Sequence, residues 1–212
     1  ILLTISAFLW GMGFIATKWT LMDYSPLWSN SLRYILAAVL CLLVLIPKKS
    51  WQHSKENLLR SFYAAMMLLA AMLLQTYGLK LTTVAKSGFL TTFYAFFTPL
   101  IGVIMYKKRF MWGFWPLMGL GILGIAFLCD LSFSSFNLGD ALTLGCALFF
   151  AIHIIYLSHI VESFESAIEL NFLQCFWMGA ISLPVAVLLE GLPDLSLLTG
   201  VRESFFQSSL WG

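Results

Sequence analysis

Long uncharged, mostly apolar runs alternate with short polar connections along almost the whole chain. The runs predict seven helices, at residues 2–22, 26–46, 60–79, 87–106, 110–129, 138–160 and 168–189. Because an α-helix rises 1.5 Å per residue, about 20 residues cross the roughly 30 Å hydrocarbon core of a bilayer. Residues 201–212 are expected to open an eighth span. The pattern therefore predicts an all-α, polytopic transmembrane helix bundle.

The composition supports this fold class. Hydrophobic residues make up 60% of the chain and charged residues only 10%, whereas a soluble domain has about 25% charged residues. That is too little charge to cover a water-exposed surface, so the lipid bilayer is the predicted partner. The formal net charge of +2 says little by itself, and we expect no nucleic-acid partner. Four cysteines without a C-x-x-C pair are interpreted as packing residues.

The basic residues predict an orientation. The second and fourth connections hold four and three of them, whereas the outer connections hold only Lys80, Lys86 and Arg202. Because cytoplasmic loops carry the excess of Lys and Arg, we expect a multi-pass inner-membrane protein with a cytoplasmic N-terminus. The sixth connection, "ESFESAIE", would also lie inside, but it has three glutamates and no basic residue. Acidic residues contribute little to that rule.

Small residues mark predicted helix-packing surfaces. On the fourth span they recur every three or four positions, at Ser87, Thr91, Ala95, Thr98 and Gly102. At 100° per residue they form one stripe, which would let a neighbouring helix approach closely. Tyr94 borders this stripe, and Pro99 is expected to bend the helix because proline lacks an N–H group.

The fifth span contains "GLGILG", which spells the G-x-G-x-x-G pattern of dinucleotide-binding domains. That motif requires a preceding strand and a βαβ unit, and an apolar 20-residue span offers neither. Gly113, Gly121 and Gly124 fall within an arc of about 80° at helical spacing, with Gly119 roughly opposite. We therefore interpret the motif as a second helix-packing groove.

The chain also contains a faint internal repeat. "AFLWGMGFI" at residues 7–15 aligns with "ALFFAIHII" at residues 147–155, which pairs Trp10 with Phe150 and Gly11 with Ala151. The copies lie in the first and sixth spans, five spans apart. Because five is odd, the second copy must cross the membrane in the opposite direction. Such inverted repeats are common in transporters, where the solute site lies near the midplane between the repeats.

Several motifs in order resemble the EamA-type permeases of the drug/metabolite transporter superfamily. They are "AFLWGMGFIATK" in the first span, "SLRYILAAVL" in the second and "YGLKLTTVAKSGFLTTFYAFFTPLIGVIMYKKR" across the third connection and fourth span. The glycine-rich "LMGLGILGIAFL" and the later "NLGDALTLGCALFFAIHIIYLS" complete the series. Each motif is loose by itself, and their order and spacing carry the resemblance.

The resemblance implies ten helices in two inverted five-helix halves that carry small metabolites or drugs, commonly outward. Residues 1–130 would form the first half and residues 138–212 an incomplete second half that lacks the last three helices. Because the sequence also begins without Met, we expect further residues beyond both ends.

Seven residues are the predicted lining of a substrate cavity: Trp10, Gly11, Lys18, Arg33, Gln75, Tyr94 and His153. Lys18 and Arg33 are cations inside apolar spans, where an unpaired charge costs about 2.5–3.5 kcal/mol on insertion scales. Asp23 is their nearest acidic partner in sequence. The alternatives are a lysine that snorkels to the interface, or an ion pair that closes the helix hairpin.

The other cavity candidates are polar or aromatic. His153 lies well inside its span, where it could carry protons or be a neutral, hydrogen-bonded packing residue. Gln75 could line the cavity or form a hydrogen bond between helices. Trp10 and Tyr94 could form an aromatic wall for an amphipathic metabolite or simply pack.

No enzyme signature is found: G-x-S-G and H-E-x-x-H are absent, and the three histidines form no metal-ligand pattern. We predict a transporter, a permease or exporter of small organic metabolites or drugs, with no cofactor and no metal. It would work by alternating access around a cavity between the first, third, fourth and sixth helices. The alternative is a non-transporting membrane scaffold or truncated remnant. The solute, the direction of transport, the coupling ion and the homo-oligomeric state stay open.

Overall fold

A computed structural model of the protein describes residues 2–46, 54–107, 112–128 and 136–192, and this part of the chain contains helices and no strands. Its α-helices are α1 (Leu2–Asp23), α2 (Pro26–Leu45), α3 (Lys55–Leu81), α4 (Val84–Thr91), α5 (Tyr94–Tyr106), α6 (Phe114–Leu128), α7 (Leu138–Ile160) and α8 (Ala167–Glu190). The helices α4 and α5 together occupy the predicted fourth span. The predicted all-α fold is confirmed, whereas the expected start of an eighth span lies outside the described residues.

Five helical segments in the described residues are long and apolar enough to cross a bilayer. They are Pro26–Leu45, Lys55–Leu81, Val84–Ile104, Leu138–Ser163 and Ala167–Glu190. In α6 the apolar part within the described residues is Phe114–Leu123. The described residues therefore form a polytopic helix bundle with five segments of membrane-spanning length, and the count of seven spans stays a prediction.

Polar caps determine where most helices begin. In each case a side-chain oxygen accepts a hydrogen bond from the backbone N–H three residues later, at Ser25, Ser54, Thr83, Asn137 and Ser166. These caps satisfy N–H groups that have no partner within the helix. They also explain why α3 and α4 begin before the predicted residues 60 and 87, since a capped first turn is polar and lies outside the apolar run.

Contacts between helix ends give the direction of each helix. Lys18, near the end of α1, reaches the last carbonyls of α3, and Asn137, just before α7, donates to the Leu81 carbonyl. Ser25 at the start of α2 donates to the Glu190 carboxylate at the end of α8. We call this the outer end, following the predicted orientation. The first turn of α3 meets the turn after α7 at the opposite, inner end. Thus α7 runs antiparallel to α1, and α8 antiparallel to α2.

The burial pattern differs from that in a water-soluble protein. Small polar side chains are fully buried between helices, among them Asn30, Ser31, Ser61, Thr76, Ser87 and Thr143. Large apolar side chains lie on the surface, among them Leu3, Phe8, Leu36, Ile104 and Leu188. In a bilayer the apolar surface contacts acyl chains, and the polar groups form hydrogen bonds within and between helices. The pattern therefore agrees with a membrane location.

Helix α3 packs most extensively on α7, and α2 packs most extensively on α8. A Cβ atom added to Gly78 of α3 would lie 2.8 Å from the carbonyl oxygen of Gly139 at the start of α7. A Cβ atom on Gly139 would lie 2.7 Å from the carbonyl oxygen of Gly78. The two backbones thus meet directly, as small residues permit in membrane helix pairs. This contact holds the first predicted half of the chain against the second.

The fourth span is interrupted between α4 and α5. Thr92 and Phe93 donate their backbone N–H groups to carbonyls three residues back, at Phe89 and Leu90, instead of four. The Thr92 hydroxyl also donates to the Phe89 carbonyl, which competes with regular helical bonding. This interruption lies immediately before Tyr94, and Pro99, where the sequence predicts a bend, lies inside α5.

Candidate functional site

Three aromatic rings from three helices meet between α1, α5 and α7. The rings of Trp10 and Tyr94 stack at a centroid distance of 6.3 Å with 12° between their planes. Phe150 lies 5.9 Å from Trp10 and 6.2 Å from Tyr94, tilted against both. We call these residues the aromatic cluster. The structure thus brings together the two predicted aromatic candidates, and it adds Phe150, the residue that the internal repeat pairs with Trp10.

The cluster borders an open cavity of about 470 Å³ between α5, α6 and α7. Its lining is mostly apolar, with a few polar groups: Tyr94, Ala95, Thr98, Pro99, Gly102, Phe114, Ile154, Ile155, Ser158 and His159. Tyr94 belongs both to this lining and to the aromatic cluster. A mostly apolar cavity with a few polar groups is the usual form of a small-molecule site.

The predicted packing stripe of the fourth span divides into two parts. Ser87 and Thr91 are buried, at 0% and 2% exposure. The other three members, Ala95, Thr98 and Gly102, line the cavity. The stripe therefore changes its surroundings at the interruption before Tyr94.

The glycines predicted to form a groove on the fifth span differ in their surroundings. A Cβ atom on Gly121 of α6 would lie 3.3 Å from the Phe96 ring of α5. A Cβ atom on Gly113 or Gly119 would meet nothing within 4 Å. Gly124 lies among residues whose side-chain surroundings are not described. Gly121 is thus the member of the motif that lies in close contact with a neighbouring helix.

Arg33 lies between α1, α2 and α3 in a network of neutral groups. Its Nη1 donates to Thr17 Oγ1 at 3.0 Å, and its Nη2 donates to Asn30 Oδ1 at 2.5 Å and to the Tyr34 hydroxyl at 3.2 Å. The Sδ atom of Met72 lies 3.6 Å from Nη2. Its Nε is buried without a hydrogen-bond partner. The guanidinium is therefore held by oxygen and sulfur atoms that carry no charge.

Lys18 is bound at the outer end. Its Nζ donates to the carbonyl oxygens of Leu79 at 2.7 Å and Thr82 at 3.1 Å, which belong to the C-terminal end of α3. A cation stabilises the partial negative charge at the C-terminal end of a helix. Asp23, the acidic partner considered from the sequence, forms an ion pair with neither Lys18 nor Arg33 in the described part of the chain.

Two further candidates form hydrogen bonds between helices. Gln75 of α3 donates to Thr91 Oγ1 of α4 at 3.2 Å. His153 Nε2 of α7 lies 2.7 Å from Gln174 Oε1 of α8, and both side chains are buried. Gly11, the last candidate, lies on α1 next to Trp10 with open space around its Cβ position.

The sequence reasoning missed Asp140, a carboxylate that is only 1% exposed. It accepts a hydrogen bond from Thr82 Oγ1 at 2.5 Å and forms an ion pair with Lys86 at 3.7 Å. It also forms a reciprocal capping box with Asn137 at the start of α7. The spacing Asn-x-x-Asp was a usable signal for the cap, but the partners from α3 and α4 are visible only in the fold.

These groups are of the kinds that bind a small organic solute. The described residues contain no group of three His, Cys, Asp or Glu side chains placed to hold a metal ion. They do provide aromatic rings, an open apolar cavity and two cations with neutral partners, all between membrane helices.

The helices and the site together define a polytopic α-helical membrane protein with polar and aromatic groups between its spans. The EamA-like transporter family matches residues 1–129, which is more than half of the 212 residues. The chain belongs to this family of membrane transporters, and the resemblance drawn from its motifs is confirmed. It is also 33% identical over 189 residues to an "Uncharacterized transporter" of Archaeoglobus fulgidus. That match covers 87% of this chain and 56% of the relative, so the chain spans about half the relative's length.

Proposed function

We propose that the protein moves a small organic solute across the membrane by alternating access. The solute would occupy the space between α1, α3, α5 and α7, where Trp10, Gly11, Gln75 and Tyr94 lie. This space adjoins, at Tyr94, the cavity between α5, α6 and α7. The observation that carries the proposal is the aromatic cluster: three rings from three helices at the border of a cavity of about 470 Å³. A mostly apolar lining with few polar groups suits an amphipathic metabolite or drug.

The interruption of the fourth span supports the same location. Tyr94 follows directly after the residues that leave the regular helical hydrogen-bond pattern. Interrupted helices are frequent at the solute sites of secondary transporters, where the irregular backbone lines a cavity. In this protein, both Tyr94 and the open cavity lie at such an interruption.

The architecture that we propose has two inverted halves, the first at residues 1–130 and the second beginning at residue 138. Two observations support it. The antiparallel directions of α1 and α7, and of α2 and α8, are those that an offset of five spans requires, because five is odd. Trp10 and Phe150, which the internal repeat pairs, also contact each other, as equivalent residues do when they lie near a two-fold axis. The proposal includes seven complete spans, an inner-membrane location and a cytoplasmic N-terminus.

Uptake into liposomes tests the function. The purified protein would be reconstituted and offered a panel of radiolabelled amino acids and fluorescent dyes, with protein-free liposomes as the control. We expect time-dependent uptake of at least one solute that saturates with its concentration. A well-folded protein that moves none of them would support the alternative of a membrane scaffold.

A pair of tyrosine variants distinguishes the proposed site from other paths through the bundle. Tyr94→Ala removes a ring from the aromatic cluster and should raise the KM for the transported solute. Tyr63→Ala makes the same chemical change on a half-exposed tyrosine near the start of α3 and should leave the KM unchanged. Equal effects of the two substitutions would contradict the proposed position of the solute.

A further inference from the structure

Arg33 lies at membrane depth. It is the eighth residue of α2, which begins at Pro26 at the outer end. At 1.5 Å per residue its Cα atom lies about 10 Å along the helix from Pro26, inside a hydrocarbon core of roughly 30 Å. An ionisable residue at this depth usually faces a partner of opposite charge or a solute pathway.

No partner of opposite charge binds Arg33 in the described part of the chain. Its contacts are the neutral atoms of Thr17, Asn30, Tyr34 and Met72, and its Nε has none. The nearby cation Lys18 adds to the positive charge, because it is bound only by backbone carbonyls.

Two acidic side chains of the outer end are bound elsewhere, and Asp23 forms an ion pair with neither Lys18 nor Arg33 in the described residues. Asp140 pairs with Lys86 and accepts from Thr82. Glu190 accepts a hydrogen bond from Ser25. The site between α1, α2 and α3 thus has an excess of positive charge that an anion from outside the chain would balance.

The first helix connects this positive site to the aromatic cluster. Trp10 and Thr17 are seven residues apart, or about two turns, so they lie on one side of α1 about 10 Å apart. Gly13 lies between them, and a Cβ atom added there would meet nothing within 4 Å. The described residues therefore leave the side of α1 at Gly13 uncovered between Thr17 and Trp10.

We infer that Arg33 binds the carboxylate of an amphipathic organic acid, whose apolar body extends past Gly13 toward Trp10. This inference rests on the proposed function, and it names the class of solute as a monocarboxylate with an aromatic or similarly apolar body. Nη1 carries two hydrogens, and Thr17 Oγ1 accepts one of them. A charge-assisted bond from the other to a carboxylate is stronger than a bond to a neutral acceptor. The neutral side chains around Arg33 orient the guanidinium without neutralising it.

The test compares two probes of the same size and shape, 3-phenylpropanoate and its neutral amide, 3-phenylpropanamide. Isothermal titration calorimetry with the protein in nanodiscs measures both affinities. We expect the carboxylate to bind at least ten-fold more tightly than the amide. Arg33→Gln should remove this preference while leaving the affinity for the amide unchanged. The control, Arg60→Gln, alters an arginine at the inner end that pairs with Glu56 and should keep the preference.

A second variant keeps Arg33 in place. Asn30→Asp changes the acceptor that lies 2.5 Å from Nη2 into a carboxylate of nearly the same shape. This internal anion should lower the affinity for 3-phenylpropanoate at least ten-fold and leave the affinity for the amide unchanged, although the substitution loses the hydrogen bonds that Asn30 Nδ2 donates to the Pro26 carbonyl and Thr76 Oγ1. A purely structural role for Arg33 predicts no change in the carboxylate-to-amide ratio, and that result would overturn the inference.

The failures of the inference and of the proposed function are distinguishable. Arg33-dependent binding of the carboxylate without any flux into liposomes would contradict transport and leave the binding site standing. A second outcome would contradict the inference and leave transport standing. In it, wild type and Arg33→Gln transport neutral solutes equally, and the wild type binds 3-phenylpropanoate and 3-phenylpropanamide with equal affinity. Binding of phosphatidate in place of 3-phenylpropanoate would assign the guanidinium to a lipid and would also overturn it.

Discussion

Gly78 and Gly139 form a close backbone contact between α3 and α7, and substitution of Gly78 by alanine tests it. The added Cβ atom would lie 2.5 Å from Thr143 Oγ1, 2.8 Å from the Gly139 carbonyl oxygen and 3.2 Å from the Thr143 backbone nitrogen. The threonine hydroxyl can rotate away, although it would lose its 2.8 Å hydrogen bond to the Gly139 carbonyl. The two backbone atoms cannot move unless the helices separate.

The expected cost follows from two opposing effects. Alanine is intrinsically about 1 kcal/mol more favourable than glycine inside a helix. Inserting a group into a fully packed interface costs typically about 1–3 kcal/mol, and more where backbone must move. Because two of the three contacts involve backbone, we expect Gly78→Ala to lower the free energy of unfolding by about 1–3 kcal/mol despite the favourable propensity.

Gly145→Ala is the matched control on α7. Its added Cβ atom would lie 3.6 Å from the Leu74 Cδ1 atom, an ordinary contact distance, so this variant should be neutral or up to about 1 kcal/mol more stable. The assay is unfolding by sodium dodecyl sulfate in mixed micelles, followed by circular dichroism. If Gly78→Ala is as stable as Gly145→Ala, the close approach of α3 and α7 is refuted.

Three further substitutions address the polar groups. Lys18→Met removes two hydrogen bonds to the end of α3 and should cost about 1–3 kcal/mol in the same unfolding assay. The control, Lys80→Met, changes an exposed lysine and should have no effect. Equal effects of the two substitutions would contradict this role for Lys18. Asp140→Asn removes the ion pair with Lys86 and the charge that accepts from Thr82, and it should also cost about 1–3 kcal/mol. A midpoint equal to that of wild type would count against the pair. If His153 carries protons, His153→Ala should abolish uptake driven by a pH gradient while exchange of solute continues, and unchanged pH-driven uptake would end that hypothesis.

The positions of the helices were predictable because lipid imposes a minimum apolar length on each span. The apolar runs at residues 26–46 and 138–160 correspond closely to α2 and α7. The run at residues 60–79 misses the first turn of α3, which is polar and capped by Ser54. The interruption at Thr92 could not be located from Pro99 alone, because the Thr92 hydroxyl bonds locally to the Phe89 carbonyl.

The candidate site was predictable in kind and less so in its partners. The intramembrane cations were predicted as site residues because isolated charges are costly in lipid. Trp10 and Tyr94 were predicted because they lie beside small residues. Their partners come from positions far apart in the chain: Lys18 binds carbonyls of α3, more than 60 residues away. Asp140 was missed because it lies at the edge of an apolar run, where a carboxylate is usually solvated.

Solute counterflow tests the central claim of alternating access most directly. Liposomes containing the protein would be loaded with a high concentration of an unlabelled transported solute and diluted into a trace of the same solute carrying a radioactive label. A carrier with one alternately exposed site predicts transient accumulation of label inside the liposomes above the outside concentration, followed by decay. Label that only rises to equilibrium would indicate a channel, label that does not enter would indicate a scaffold, and either result would contradict the proposed function.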